Sequence, residues 1–374
     1  MYQAPLPKEL AELVPEEADG RIRAARAKLG RRLMILGHHY QRDEIIRHAD
    51  LRGDSFKLAS HAASHPEAEV IVFCGVHFMA ESADILTADS QAVVLPNLAA
   101  GCSMADMANI IQVRNCWRQL EEALGGVRTL SSIEGSGPIV VPVTYINSAA
   151  NLKAFVGERG GTVCTSSNAP VAVRWALDKG DKVLFFPDQH LGRNTGVKLG
   201  YDPERDMCLW DPFKPLGGNT VERLQEARFL LWKGHCSVHS RFTVAQIADA
   251  RRRHPGVRVI VHPECELEVV RASDMNGSTE TIIREVTAGE PGSVWAVGTE
   301  INLVHRLSQE NPDKTVFCLD PDVCPCSTMY RIHPSFLCWS LERLVEGEVV
   351  NQIVVRDPVR HFAREALDRM LVLA

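Results

Sequence analysis

Eleven cysteines are the residues with the most chemistry to offer in this chain of 374. They stand at positions 74, 102, 116, 164, 208, 236, 265, 318, 324, 326 and 338, and no two form a CxxC pair. A zinc ribbon or a ferredoxin-type run is therefore not written locally. The opening stretch MYQAPLPKELAELVPEEADG is acidic and lacks the charged-then-apolar layout of a secretory leader, so a cytoplasmic location is expected. Thiols stay reduced there, which favours metal or redox chemistry over a disulfide scaffold. Cys74, Cys116, Cys208 and Cys318 read as small buried hydrophobes. A second set of reactive side chains gathers at the ends of apolar runs: His38 and Tyr40, Tyr145 and Asn147, His262 and Glu264. Imidazoles, phenols and a carboxylate so placed can move protons and hold anions.

The elements that position these groups recur three times. A first strand reads RRLMILGHHYQ (31–41), GPIVVPVTYIN (137–147) and GVRVIVHPECE (256–266). Each leads to a hydroxyl-rich turn opening a helix, around Ser55, Ser166 and Thr279. Second strands follow in EVIVFCGVHFMAE (69–81), DKVLFFPDQHLGRN (181–194) and SVWAVGTEINLVHRL (293–307). A third strand closes each unit just before Cys102, Cys236 and the Cys324/Cys326 pair. Seventeen residues separate His38 from Ser55 and His262 from Thr279, and sixty-four separate His38 from Cys102 and His262 from Cys326. The middle unit is longer, and its surplus YDPERDMCLWDPFKPLGGN (201–219) reads as an inserted surface loop.

Strands alternating with helices predict an α/β fold of three similar α/β/α units with parallel sheets. Ligands bind such sheets beyond the carboxyl ends of the strands, where every polar group above lies. Three units around a pseudo-threefold axis would bring those ends, and the three terminal cysteines, to one central site. Three thiolates suit an iron–sulfur cluster better than zinc, and a 4Fe–4S cluster so held keeps one iron open as a Lewis acid. Either Cys324 or Cys326 can be the third ligand; the span of sixty-four favours Cys326. The expected divisions are 1–113, with an N-terminal extension, then 114–240, 241–340, and a helical segment 341–374 on the first unit.

Composition excludes other classes. At 45% hydrophobic and 24% charged residues the chain is ordinarily globular, and a net charge of −6 argues against a nucleic-acid partner. No apolar run has the roughly eighteen residues a membrane span needs. Neither GxxxxGK(S/T) nor a GxGxxG after a strand is present, which removes the common nucleotide-binding readings.

The motifs GHHYQ, GDS, HFMAESADIL, GCSMADM, VTYIN, CTSSNA, PDQHLGRN, WKGHCSVH, HPEC, GST, GTEINLVHRL and CPCSTMYRI, in that order from about residue 31 to 350, closely resemble the quinolinate synthase family. The resemblance implies a three-domain enzyme of NAD biosynthesis, a transferase. Its members condense iminosuccinate with dihydroxyacetone phosphate on a 4Fe–4S cluster with three cysteine ligands. Shorter members carry one cysteine before Pro-aromatic-Met, whereas this chain has two around Pro325, as a long-form variant. An aspartate oxidase or dehydrogenase would supply the iminosuccinate.

Carried onto these positions, the resemblance implies cluster ligation by Cys102, Cys236 and Cys326. It also implies substrate binding by His38, Ser55, Tyr145, Asn147, Ser166, Thr279 and the His262–Pro263–Glu264 turn. Tyr40 is expected to donate protons or to stabilise an enediol-like intermediate, and His262 and Glu264 to form the acid/base pair, Glu264 with a pKa raised by partial burial. Simpler readings stand beside these: Tyr145 as core, Glu264 as a surface carboxylate, and Ser55, Ser166 and Thr279 as helix N-caps. The caps are compatible with anion binding at the same helix ends. His239 reads as a contact beside Cys236, and less readily as a metal ligand. Two other functions remain: an aconitase-like hydro-lyase, which would also use an open iron, and a non-enzymatic iron–sulfur sensor, which would not need so many polar groups at strand ends.

Overall fold

The computed structural model describes residues 3–322 and 325–373; Cys324 lies outside them. Its strands, in chain order, are β1 (Leu33–His38), β2 (Leu51–Gly53), β3 (Val70–Cys74), β4 (Ala92–Val94), β5 (Val140–Tyr145), β6 (Thr162–Cys164) and β7 (Lys182–Phe186). They continue with β8 (Met207–Trp210), β9 (Phe229–Trp232), β10 (Arg258–Val261), β11 (Met275–Asn276), β12 (Val294–Gly298), β13 (Thr315–Cys318) and β14 (Gln352–Ile353). Apolar, mostly β-branched runs account for them, and β5 and β7 are buried at every residue. Such two-sided burial is what helices on both faces of a parallel sheet impose.

The strands form three sheets, ordered β14-β4-β3-β1-β2, β6-β5-β7-β9-β8 and β11-β10-β12-β13. The expected first, second and third strands of each repeat occur in the same spatial order in all three. In each, a short strand (β2, β6 or β11) flanks the first and leads into the hydroxyl-bearing helix. Local detail repeats too. Asp50 Oδ2 accepts the Ile35 N–H at 2.7 Å, and Asp274 Oδ2 accepts that of Val259 at 2.7 Å, fifteen residues upstream in both cases. The three similar α/β/α units are thus present. One departure from all-parallel pairing is β14, which runs antiparallel along β4.

The segment 201–219 departs from its expectation as a surface loop. It contains β8, which adds a fifth strand parallel to β9 and buries Trp210 to 1% exposure. The four apolar residues MCLW are enough for a strand, although Pro and Gly on both sides mask them in the sequence.

By packing, the chain divides into two compact units, Met1–Cys102 with Glu300–Val355, and Ser103–Thr299 with Arg356–Ala374. In the first, the helix Pro15–Leu29 packs on Pro334–Val345. Arg21 grips Glu342 there through two hydrogen bonds of 2.7 Å. In the second, the helix Val359–Val372 lies on Ala150–Glu158 so closely that a Cβ at Gly157 would strike the Phe362 carbonyl. The C-terminal segment therefore divides, Pro334–Val345 belonging with the first unit and Val359–Val372 with the second.

Candidate active site

In the second unit the HPEC turn follows β10 and is pinned by the helix Gln189–Lys198. Asn194 Nδ2 donates to the carbonyls of Pro263 and Cys265, each at 2.8 Å. The turn delivers Glu264, only 2% exposed, into a cluster of imidazoles. His239 Nδ1 lies 2.9 Å from Glu264 Oε2, and its Nε2 lies 3.3 Å from Thr299 Oγ1. The His239 and His262 rings stack at 4.4 Å with 17° between planes, and His262 Nδ1 is 3.9 Å from Glu264 Oε1. Tyr145, at the end of β5, adds a side-chain hydrogen bond to the same carboxylate.

The electrostatics correct the expected raised pKa of Glu264. Burial does push its carboxyl up, but the charges of His239 and His262 and hydrogen bonds from His239 and Tyr145 outweigh burial. They pull it down to about 2. His262 is pushed down to about 3, first by burial and then by His239, so its imidazole is neutral near neutral pH. Asp188 goes the other way: burial and the Glu264 charge push its carboxyl well up. Opposed shifts in neighbouring buried acids are the pattern that proton chemistry uses. The sequence singles out neither Asp188 nor Asn194; Asp188 also caps its helix, its Oδ1 accepting the Leu191 N–H at 2.7 Å.

Two more expected residues of this unit carry buried atoms without a hydrogen-bond partner, Asn147 Oδ1 and Thr279 Oγ1. Buried polar atoms are nearly always paired, so such atoms point to water or ligand. Thr279 is not the cap of its helix; Ser278 is, accepting from Thr281 N. Ser166 is likewise relieved of capping, since Asn168 precedes that helix and its Oδ1 takes Thr165 N at 2.8 Å. In the first unit Asp54, not Ser55, caps the helix Ser55–Ser64, accepting from Lys57 N at 2.9 Å.

The first unit gathers the remaining groups. His38, at the end of β1, accepts the Tyr40 N–H on Nδ1 at 3.1 Å, and the two rings meet edge-on at 4.8 Å. The same bond recurs just past β10, from Glu264 N to His262 Nδ1 at 3.4 Å, so the two motifs are structural counterparts. The GHHYQ loop is held by buried Arg306, which donates to the carbonyls of His39 and Gln41 at 2.9 and 2.6 Å. Asn302 Nδ2 reaches the Tyr40 carbonyl at 3.3 Å and Glu300 Oε1 at 2.9 Å. The same Oε1 accepts the Cys326 N–H at 3.2 Å. Asn97 Nδ2 donates to the Arg331 carbonyl, and Arg331 Nη1 donates to that of Ala99, which ties the segment before Cys102 to the turn after Cys326.

Cys102, Cys236, Cys318 and Cys326 are partly exposed, whereas the other six described cysteines are buried. Burial pushes the Cys74 thiol up to about 12 and that of Cys208 to about 11. The expectation of a buried Cys318 is not met. Three residues beyond each of Cys102, Cys236 and Cys326 a short 3₁₀ turn begins (Ala105–Met107, His239–Arg241, Met329–Arg331), and eight beyond, a helix starts at Ile110, Val244 or Pro334. Gly234 admits the approach to Cys236, since a Cβ there would strike the Pro187 carbonyl.

A buried carboxylate–imidazole network at strand ends, in an α/β chain whose repeats close on partly exposed thiols, suits proton transfer and soft-metal binding. Comparison with known proteins supplies the family. The family model described as "Quinolinate synthetase A protein" matches residues 20–372. A "Quinolinate synthase" of Corynebacterium glutamicum is 57% identical over 99% of this chain and 91% of its own length. Those of Streptomyces coelicolor and Geobacillus kaustophilus are 56% and 50% identical, over 96% and 99% of this chain and 89% and 97% of theirs. The chain belongs to the quinolinate synthetase A family. No helix among its described residues is long and apolar enough to cross a membrane.

Proposed function

We propose that the chain condenses iminosuccinate with dihydroxyacetone phosphate to quinolinate, releasing phosphate and two waters, in NAD biosynthesis in the cytoplasm. The observation that carries this reading is the buried Glu264–His239–His262–Tyr145 network, in the same unit as the unpartnered Asn147 and Thr279. Asn147, Tyr145, Ser166 and Thr279 would hold the substrate carboxylates, and His38 and Ser55 further substrate oxygens. Hydroxyls at the first turn of a helix suit anions, because the backbone N–H groups there add to them.

Glu264 acts in this reading as the general base, with His239 sharing the proton. An isolated carboxyl near 2 is a weak base, but each iminosuccinate carboxylate bound beside it adds like charge and pushes it back up. Neutral His262 stacks behind and orients the pair. Tyr40 donates a proton on the opposite step.

Cys102, Cys236 and Cys326 would hold a 4Fe–4S cluster, which would supply Lewis acidity. The donor set fits: these are partly exposed thiols rather than buried ones, each three residues before the same 3₁₀ turn. That common spacing favours Cys326 over Cys324. An aspartate-oxidising enzyme would provide the iminosuccinate.

The test is quinolinate formation from the two substrates by the anaerobically purified protein. Product is expected, and Glu264→Gln should lower turnover by about a hundredfold or more while iron content stays unchanged. Turnover at the full rate by that variant would remove Glu264 from its role.

A further inference from the structure

Cys236 Sγ, an imidazole nitrogen of His239 and a carboxylate oxygen of Glu264 all lie within 4.8 Å of one another. Among the described residues this is the group of three such ligand atoms brought so close. A four-coordinate ion with metal–ligand bonds of roughly 2.0–2.3 Å holds its donors some 3–4 Å apart, so small rotations of these side chains close the set. Cys236 and His239 are presented three residues apart across the start of the His239–Arg241 turn, and Glu264 reaches them from the pinned HPEC turn. The second ring nitrogen of His239 already has Thr299 Oγ1 at 3.3 Å, the outer hydrogen bond that fixes a ligating imidazole. His239 and Glu264 are 1% and 2% exposed, whereas Cys236 is partly open, which gives an ion a dry floor and an entrance.

We propose that the chain lacking its cluster binds one zinc-class divalent ion at Cys236, His239 and Glu264, with the fourth position open. Sulfur, nitrogen and oxygen donors together suit a borderline-soft ion such as Zn²⁺ or Co²⁺ and not Mg²⁺ or Ca²⁺. Resting on the proposed function, the ion has a consequence. It occupies one cluster ligand and the acid–base pair at once, so the zinc form is inactive and resists cluster assembly. Zinc and iron–sulfur loading then become mutually exclusive states of one polypeptide.

The test uses the reduced, cluster-free full-length chain titrated anaerobically with Co²⁺, then with Zn²⁺. One equivalent of cobalt should give thiolate-to-metal charge transfer and the ligand-field bands of a four-coordinate site, both abolished by zinc. Cys102→Ser and Cys326→Ser should keep the spectrum, Cys236→Ser should lose the charge-transfer band, and His239→Ala should weaken binding at least tenfold. Glu264→Gln, which preserves shape, should weaken it too and guards against a folding defect in the alanine variant. A thiolate band that survives in Cys236→Ser, or unchanged affinity in both His239→Ala and Glu264→Gln, would overturn the proposal. Iron–sulfide reconstitution of the same protein separates the two readings. Normal cluster uptake without a thiolate–cobalt band defeats the zinc site alone. The cobalt spectrum in a chain that never takes up a cluster defeats the cluster reading and leaves the zinc site standing.

Discussion

Glu264 and His262 contribute to the acid behaviour of the molecule as well as to its proposed chemistry. His262 has a folded pKa near 3, against about 6.5 for an unfolded histidine, so the unfolded chain takes up its proton first as pH falls. His190 behaves alike, pushed down to about 4 by burial and then by Arg193 and His235. The stability they contribute is therefore full above about pH 6.5 and is lost as pH falls from there toward 4 and 3. Glu264, with its carboxyl near 2, adds a further loss between about 4.5 and 2. Unfolding free energy measured between pH 6.5 and 5 should fall, and His262→Gln should lessen the slope by up to about 1.4 kcal/mol per pH unit. An unchanged slope would mean that His262 titrates alike in both states.

Capping separates structural from binding roles in the helices beside the proposed site. Asp54 caps the helix Ser55–Ser64 and Ser55 does not. Asp54→Ala should cost about 1 kcal/mol of stability. Ser55→Ala should leave thermal stability nearly unchanged and raise KM for substrate. The reverse pattern would return Ser55 to the role of a cap. These positions also mark where sequence reading stops. The three strand runs of each repeat and the residues at their ends were legible because apolar runs and polar ends recur in register, as at His38 and His262. Which of two adjacent residues caps a helix depends on backbone angles that Asp54–Ser55 and Ser278–Thr279 do not reveal by type. Nor could the low pKa of Glu264 be foreseen. It requires knowing that His239 and Tyr145, distant in sequence, reach the same carboxylate. The strand β8 was hidden for a third reason, four apolar residues set among Pro and Gly.

Across the whole molecule, the three sheets share one strand order, to which β14 and β8 each add a fifth strand in one sheet. If β8 is part of the second unit's core, Trp210→Ala should cost about 3–5 kcal/mol, visible as a large fall in Tm. A loss below about 1 kcal/mol would restore 201–219 to a surface loop. The repeat ends in three cysteines followed by identical spacing to a turn and a helix, and in the proposed function these, and not Cys324, hold the cluster. The most direct measurement is iron, sulfide and quinolinate formation in anaerobically purified protein, compared with the Cys102→Ser, Cys236→Ser, Cys326→Ser and Cys324→Ser variants. Four irons per chain and product are expected in the parent and in Cys324→Ser, with cluster and product lost together in the other three. A full cluster in Cys326→Ser, or product formed without iron, would contradict this reading.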